Sequence, residues 1–284
     1  MNTIIVGVDL HEGSHDALSL GGALAKTLGA RLLVAAAVEH APLPIETLSQ
    51  GGARREHLDR IFAGVDDHIR GVEYERIELE HGAPRGLEEL AEAESADLVV
   101  IGHTHRGSVG RFVAGTTGDG LLEGAPCAVA VAPHDYGQRE HTGFGLIGVA
   151  YDGGPESRLA LTQATELAAE LGCELRLIGI APAFDDVPDP LGPARDTLYR
   201  ERLAAGLRAV EKVKASSQLE RGDPARVLAR LGVELDLLIV GSRSRGRALR
   251  TLMGSVASEL IRTSPCPVIV TPRAAAKENE EGAS

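Results

Sequence analysis

The 284-residue sequence predicts an α/β protein of two tandem doubly wound domains, each a five-stranded parallel sheet with helices on both faces. Three observations predict it. The stretches Asp97 to Pro133 and Asp236 to Pro272 align without a gap at an offset of 139 residues, pairing Gly102 with Gly241, Gly107 with Gly246, Arg111 with Arg250, Gly115 with Gly254 and Pro126-Cys127 with Pro265-Cys266. An earlier segment repeats too, since Asp9 and Asp152, Ser14 and Ser157, and Gly29 and Gly172 all lie 143 apart. Within each copy, short apolar runs alternate with stretches of helical periodicity across short connections, the pattern of parallel βαβ units.

Each element has its own signal. Thr3 to Val8 is an apolar run ending in Asp9, a buried strand with a carboxylate at its carboxyl end. Ser14 is placed to cap the following helix, whose apolar positions Ala17, Leu18, Gly21, Leu24, Ala25 and Leu28 fall near helical spacing, and Gly29 closes it. Arg31 to Val38 is the second strand, followed by a Pro-containing connection, His40 to Gly52, and a polar amphipathic helix over Arg54 to Ile69. Glu73 to Glu80 is a more exposed third strand, and Pro84 opens a helix running to about Glu94. Strand four, a Gly/Arg loop, a helix beginning near Gly115-Thr116 and strand five complete the unit. The programme restarts at Gly143, with Leu146 to Tyr151 ending in Asp152. The second copy is four residues shorter in its middle, around Phe184 to Ala194, a Pro-rich acidic loop. The domains are read as 1–138 and 143–273, with 134–142 as linker and 274–284 as a disordered acidic tail.

Composition narrows the function. The chain is 43% hydrophobic and 25% charged, ordinary for a globular protein. Aromatics are 3% and Trp is absent, so the core is aliphatic, which suits strands covered on both faces. A net charge of −12 speaks against a nucleic-acid partner. No apolar run approaches the roughly 20 residues that span a bilayer, and the N-terminus has no basic region of a signal peptide. The expectation is a cytoplasmic protein with no membrane partner. Three cysteines without CxxC spacing exclude a disulfide framework and a standard zinc site, and Cys127 and Cys266 read as buried small hydrophobes.

The chemistry converges on an anion site. A helix start offers free N–H groups and the positive end of the macrodipole, so Gly115-Thr116 and Gly254-Ser255 are candidate phosphate contacts. The run Arg243, Arg245, Arg247, Arg250 stands out in an acidic chain. Sharper motifs fail: Gly102-x4-Gly107-Ser108 lacks the P-loop lysine, no GxGxxG follows strand one, and there is no GxSxG elbow. His11, His15, His103 and His105 could share one sheet edge, but solvent-facing loop histidines are the simpler reading, and the second copy lacks them. No metal site is assigned.

This constellation resembles the tandem form of the universal stress protein family over residues 2 to 273. The resemblance rests on Val6-Gly7-Val8-Asp9 and Val149-Ala150-Tyr151-Asp152, on Ser14-x2-Ala17-Leu18 and Ser157-x2-Ala160-Leu161, and on the two loop-helix-strand segments. It implies a Rossmann-like fold of the adenine-nucleotide-binding type. In nucleotide-binding members a G-x2-G-x9-G-[ST] loop holds ATP phosphates, while the aspartate after strand one and the end of strand two contact the adenosine. By position, Gly102, Gly115, Thr116 and Asp9 carry over in the first copy, and Gly241, Gly254, Ser255 and Asp152 in the second. The second glycine of the pattern is His105 in one copy and Ser244 in the other. A side chain there narrows the approach of a phosphate, and Ser244, small and able to donate, obstructs less.

The resemblance therefore implies a non-enzymatic stress-response protein that binds ATP, with Mg²⁺, or a related adenine nucleotide, and signals through occupancy. A protein of this fold that has lost the ligand and acts by protein interaction is the alternative; an ATP-hydrolysing enzyme lacks an identifiable general base. With more loop arginines and Ser244 in place of His105, phosphate is expected to prefer the second site. The domains are expected to form an intramolecular pseudo-dimer as two separate sheets meeting at their fifth strands, Ala128 to Ala132 and Pro267 to Thr271, and further homodimers remain open.

Overall fold

The computed structural model describes residues 1–37, 50–69, 71–103, 120–122, 124–139, 143–183, 191–242 and 254–272. In the first repeat, β1 (Thr3–Val8), β2 (Arg31–Ala37), β3 (Tyr74–Leu79), β4 (Leu98–Gly102) and β5 (Ala128–Ala132) alternate with α1 (Gly13–Leu28), α2 (Gln50–Phe62), α3 (Val65–Ile69) and α4 (Ala83–Ala93). In the second, β6 (Leu146–Ala150), β7 (Glu174–Ala181), β8 (Ala215–Arg221), β9 (Leu237–Gly241) and β10 (Val268–Thr271) alternate with α5 (Pro155–Leu171), α6 (Gly192–Arg208), α7 (Pro224–Leu231) and α8 (Ser255–Thr263). The expected helix over 54–69 is divided at Ala63-Gly64, where the chain turns between α2 and α3. Gly29 and Gly172 close α1 and α5 in the left-handed conformation, with φ of 65° and 69°. The tail from residue 274 lies outside the described residues.

Within each repeat the strands are parallel, in the order β3-β2-β1-β4-β5 and β8-β7-β6-β9-β10. Side chains alternate between the faces: Ile4, Val6 and Val8 pack into one layer, and Ile5 into the other. The first layer holds α1, α2, α3, α5 and α6; the second holds α4, residues 121 and 122, α7 and α8. Both faces are therefore covered, as parallel strands require.

The expectation of two separate sheets is corrected. The fifth strands do meet, but edge to edge: β10 pairs antiparallel with β5, with Val268, Ile269 and Val270 opposite Val131, Ala130 and Val129. The result is one ten-stranded sheet. The physical reason is that a fifth strand left at an edge would expose unpaired N–H and C=O groups, and pairing satisfies both rows at once. Both hydrophobic layers continue across this seam.

The linker carries structure of its own. Residues Tyr136–Gln138 form a 3₁₀ turn in which Tyr136 is 4% exposed. The Gly137 N–H donates to Asp16 Oδ1 on α1 at 2.8 Å, while the Arg139 guanidinium donates to the Pro265 carbonyl at 2.5 Å, so the connection is fastened to both repeats.

Two outcomes are expected. Ile269 is 2% exposed at the seam, so Ile269→Ala should cost about 2–5 kcal/mol in urea denaturation, whereas Val233→Ala, at a side chain 75% exposed, should stay within about 0.5 kcal/mol. Burial pushes the Asp16 carboxyl above its ordinary value of 3.8, opposed by the Gly137 hydrogen bond. The folded state thus keeps that proton to higher pH than the unfolded chain. The stability it contributes is present below pH 3.8 and is lost as pH rises through the raised value. Asp16→Asn, which keeps an oxygen for Gly137, should flatten that part of the stability–pH profile.

Candidate functional site

In a doubly wound sheet the crevice lies beyond the carboxyl ends of the strands where the winding reverses. Here that is between β1 and β4 in the first repeat and between β6 and β9 in the second, since both pairs are adjacent. Asp9 and Gly102 are thereby brought to one crevice, and Asp152 and Gly241 to the other.

The second crevice is a cavity of about 560 Å³. Its lining includes Asp152, Glu156, Ser157, Gly241, Gly254 and Ser255 together with the apolar Ile178, Ile180, Pro182, Leu228 and Val240 and the aromatic Tyr199. Local hydrogen bonding shapes the Asp152 turn. Gly153 takes φ of +80°, which lets the chain reverse into α5. The Gly154 N–H donates to Asp152 Oδ1 at 2.9 Å, and the Ser157 hydroxyl donates to the Gly154 carbonyl at 3.0 Å while accepting from the Asp152 N–H at 3.4 Å. Facing this turn, α8 starts with Gly254 as an extended N-cap residue that makes no side-chain cap, followed by Ser255 at the first helical position. The first N–H groups of α8 have no intrahelical acceptors, and a dipole end with a hydroxyl beside it can receive an anion.

The first crevice is arranged differently. Asp9 Oδ1 accepts from the Ser14 hydroxyl and from the His11 N–H, both at 2.8 Å, and Asp9 Oδ2 lies 3.0 Å from His11 Nδ1. The Asp9 N–H donates to Ser14 Oγ at 2.8 Å. Ser14 and Ser157 thus lie within the first helical turns and brace the aspartate loops. Neither is the N-cap expected of it; Glu12 and Gly154 hold those positions. His103 is buried at 6% exposure, against the expectation of a solvent-facing loop histidine, and His15 stacks on His68 with ring centroids 4.2 Å apart. Cys266 is buried as expected and Cys127 is half-buried; burial pushes both thiols up to about 11. His105, Gly115, Thr116 and Ser244 lie outside the described residues, as do the arginines of both loops.

Gly102 and Gly241 have a packing role that the sequence did not reveal. A Cβ on Gly102 would lie 1.8 Å from the Gly13 carbonyl oxygen, and one on Gly241 would lie 2.7 Å from that of Glu156. The fourth strand of each repeat ends directly against the start of its first helix, and only glycine permits that approach. Sequence reading also missed Glu156 and Tyr199. Tyr199 was legible in principle: it shares one face of α6 with the buried Leu203 and Gly206, at i, i+4 and i+7.

Comparison with known proteins places this geometry. The profile of the universal stress protein family matches residues 1–133 and 143–272, once per repeat. A curated universal stress protein from Mycolicibacterium smegmatis is 32% identical over 185 residues, covering 63% of this chain and 62% of the relative. The matched region thus spans slightly under two thirds of that relative's length. One from Mycobacterium tuberculosis is 27% identical over 248 residues, covering 81% of this chain and 80% of that protein. Among solved structures, a universal stress protein from Archaeoglobus fulgidus superposes with a TM-score of 0.72 at 20% identity, covering 96% of this chain and 98% of the other. A Pseudomonas aeruginosa structure gives 0.63 at 17% identity, covering 96% and 93%. At these identities the structural likeness is one of fold.

The packing role of the two glycines is separable from ligand binding. Without any ligand, Gly241→Ala is expected to lower stability by about 1–3 kcal/mol, and Gly102→Ala by more because its overlap is tighter. Thermal melting of the two variants measures the difference; equal and negligible losses would remove the packing role.

Proposed function

The chain belongs to the universal stress protein family, and from that premise we propose that it binds ATP, with Mg²⁺, or a related adenine nucleotide in the second-repeat crevice and signals through occupancy. Residues 1–138 and 143–273 are its two domains in this reading. The observation that carries it is the lining of the 560 Å³ cavity, which brings Asp152, Gly241 and the start of α8 together with aliphatic side chains and Tyr199. A nucleotide is polar at one end and flat and apolar at the other. Phosphates take the N–H groups and hydroxyl at Gly254 and Ser255, the ribose lies by Asp152, and the base lies on the apolar lining. Ser244 and the loop arginines belong to the phosphate-binding loop in the resemblance and are proposed as phosphate contacts on that ground alone. The first repeat supplies the weaker site: His105 replaces a glycine there, where the second repeat has the smaller Ser244 and more loop arginines. Its ligand set is Asp9, Gly102, Gly115 and Thr116.

Among the described residues no helix is long and apolar enough to cross a membrane. The reading places the protein in the cytoplasm, with the nucleotide and not a nucleic acid as its partner.

ATP at about 100-fold over Kd stabilises the folded state by about 2.7 kcal/mol, which should raise Tm by several degrees. Equilibrium dialysis should show one tighter site, weakened about tenfold by Asp152→Asn and little changed by Asp9→Asn. Two equal sites would overturn the preference for the second repeat. The absence of any shift with millimolar ATP or ADP would favour a protein-interaction role instead.

A further inference from the structure

We propose that Tyr199 is the residue that selects a base-bearing ligand in the second crevice, and that Arg202 is the positioning residue that holds it there. This rests on the nucleotide reading and deepens it. Among the described residues the apolar lining is otherwise aliphatic, and two aromatic residues line the cavity, Tyr151 and Tyr199. Tyr151 is committed elsewhere. It is 6% exposed, and a Cβ on Gly206 would lie 2.7 Å from its ring, so α6 already presses against it. Tyr199 lines the cavity half-buried, one helical turn before Leu203. Tyr199 therefore supplies the flat surface against which a flat base can pack. A base gains more on such a ring than on an aliphatic wall, because stacking adds quadrupole and dispersion attraction to simple burial.

Arg202 fixes the ring in two ways. Its guanidinium lies over Tyr199, 5.5 Å from the ring centroid, and Nη1 donates to the Asp152 carbonyl at 3.3 Å. Its aliphatic stem rests on Gly153, whose Cβ would lie 3.3 Å from Cγ of the arginine. One side chain thus ties the base end of the cavity, on α6, to the aspartate turn where the ribose lies. The distance between the two contacts is set by that side chain and the ring it covers, so a ligand must carry a ring at the correct reach from its hydroxyls to satisfy both. A cation held over the ring also limits its rotation.

The test uses the full chain, isothermal titration calorimetry, and two probes: ATP and inorganic tripolyphosphate. Tyr199→Ala is expected to weaken ATP about tenfold and to leave tripolyphosphate unchanged within about twofold, while Tyr199→Phe keeps parental affinity for both. Arg202→Ala should weaken ATP in the parent but add little on the Tyr199→Ala background, and Arg202→Lys should recover part of the loss. Each variant is first checked by thermal melting, and Tyr199→Leu, which preserves bulk without a π-face, replaces Tyr199→Ala if that variant melts early. Unchanged ATP affinity in Tyr199→Ala or Tyr199→Leu overturns the role of Tyr199 while leaving the nucleotide reading standing. Equal weakening of ATP and tripolyphosphate overturns it too, as general loosening of the site. A parent that binds tripolyphosphate but not ATP, or neither, removes the nucleotide reading and this inference with it.

Discussion

The hydrogen-bonded seam between β5 and β10 is the constraint on which the rest of the architecture depends. Each repeat alone would end in an apolar strand with a free edge, Ala128–Ala132 or Val268–Thr271, and every residue of both is buried in the joined molecule. Pairing them satisfies the backbone and merges two modest cores into layers that run the length of the sheet. The outer edges are handled in the opposite way. Strand β3 is charged and largely exposed, and Glu75 is held by Arg31 through bonds of 2.6 and 2.9 Å. Strand β8 carries Glu220, bonded to Arg230 at 2.9 Å. Charge at the outside and small apolar residues at the centre stop the sheet from growing while letting its halves join.

The same economy governs the crevices. Gly102 and Gly241 allow the fourth strand of each repeat to end against a helix start, and this contact sets how closely the aspartate turn approaches the end of that strand. The two crevices begin from this common frame and diverge in detail. In one, a histidine and a serine occupy the aspartate; in the other, the serine braces the backbone of the turn and an arginine from α6 locks it. Duplication preserved the frame, and the side chains around it were free to specialise.

Most of the strand and helix order was legible because apolar runs and their spacing report burial directly. The meeting of Asp9 with Gly102 and of Asp152 with Gly241 follows from parallel winding only if strands one and four are neighbours, and the strand pairing supplies that condition. What was not legible depended on partners distant in sequence. Alternating Ala and Val in β5 is compatible with a strand that packs face to face or one that pairs edge to edge, so the seam could not be chosen from pattern. A serine five residues after an aspartate fits a cap and fits a brace, and only the turn geometry separates them. His103 follows a glycine in a polar stretch and reads as loop, yet it is buried beside Gly13. Tyr199 was obscured because α6 is polar overall, with its few inward positions spaced along one face. The contacts assigned to His105, Gly115, Thr116 and Ser244 fall outside the described residues.

The antiparallel direction of the seam has a consequence for how the molecule meets its surroundings. Strands of the first repeat all run one way and those of the second run the other, so their carboxyl ends open on opposite rims of one slab. Five residues of strand extend about 17 Å, and the helical layers close off both faces between the rims. The two crevices are also offset along the sheet, with β4, β5, β10 and β9 between them. Each rim is a separate doorway, and the seam lies on the path through the sheet by which the state of one could be felt at the other.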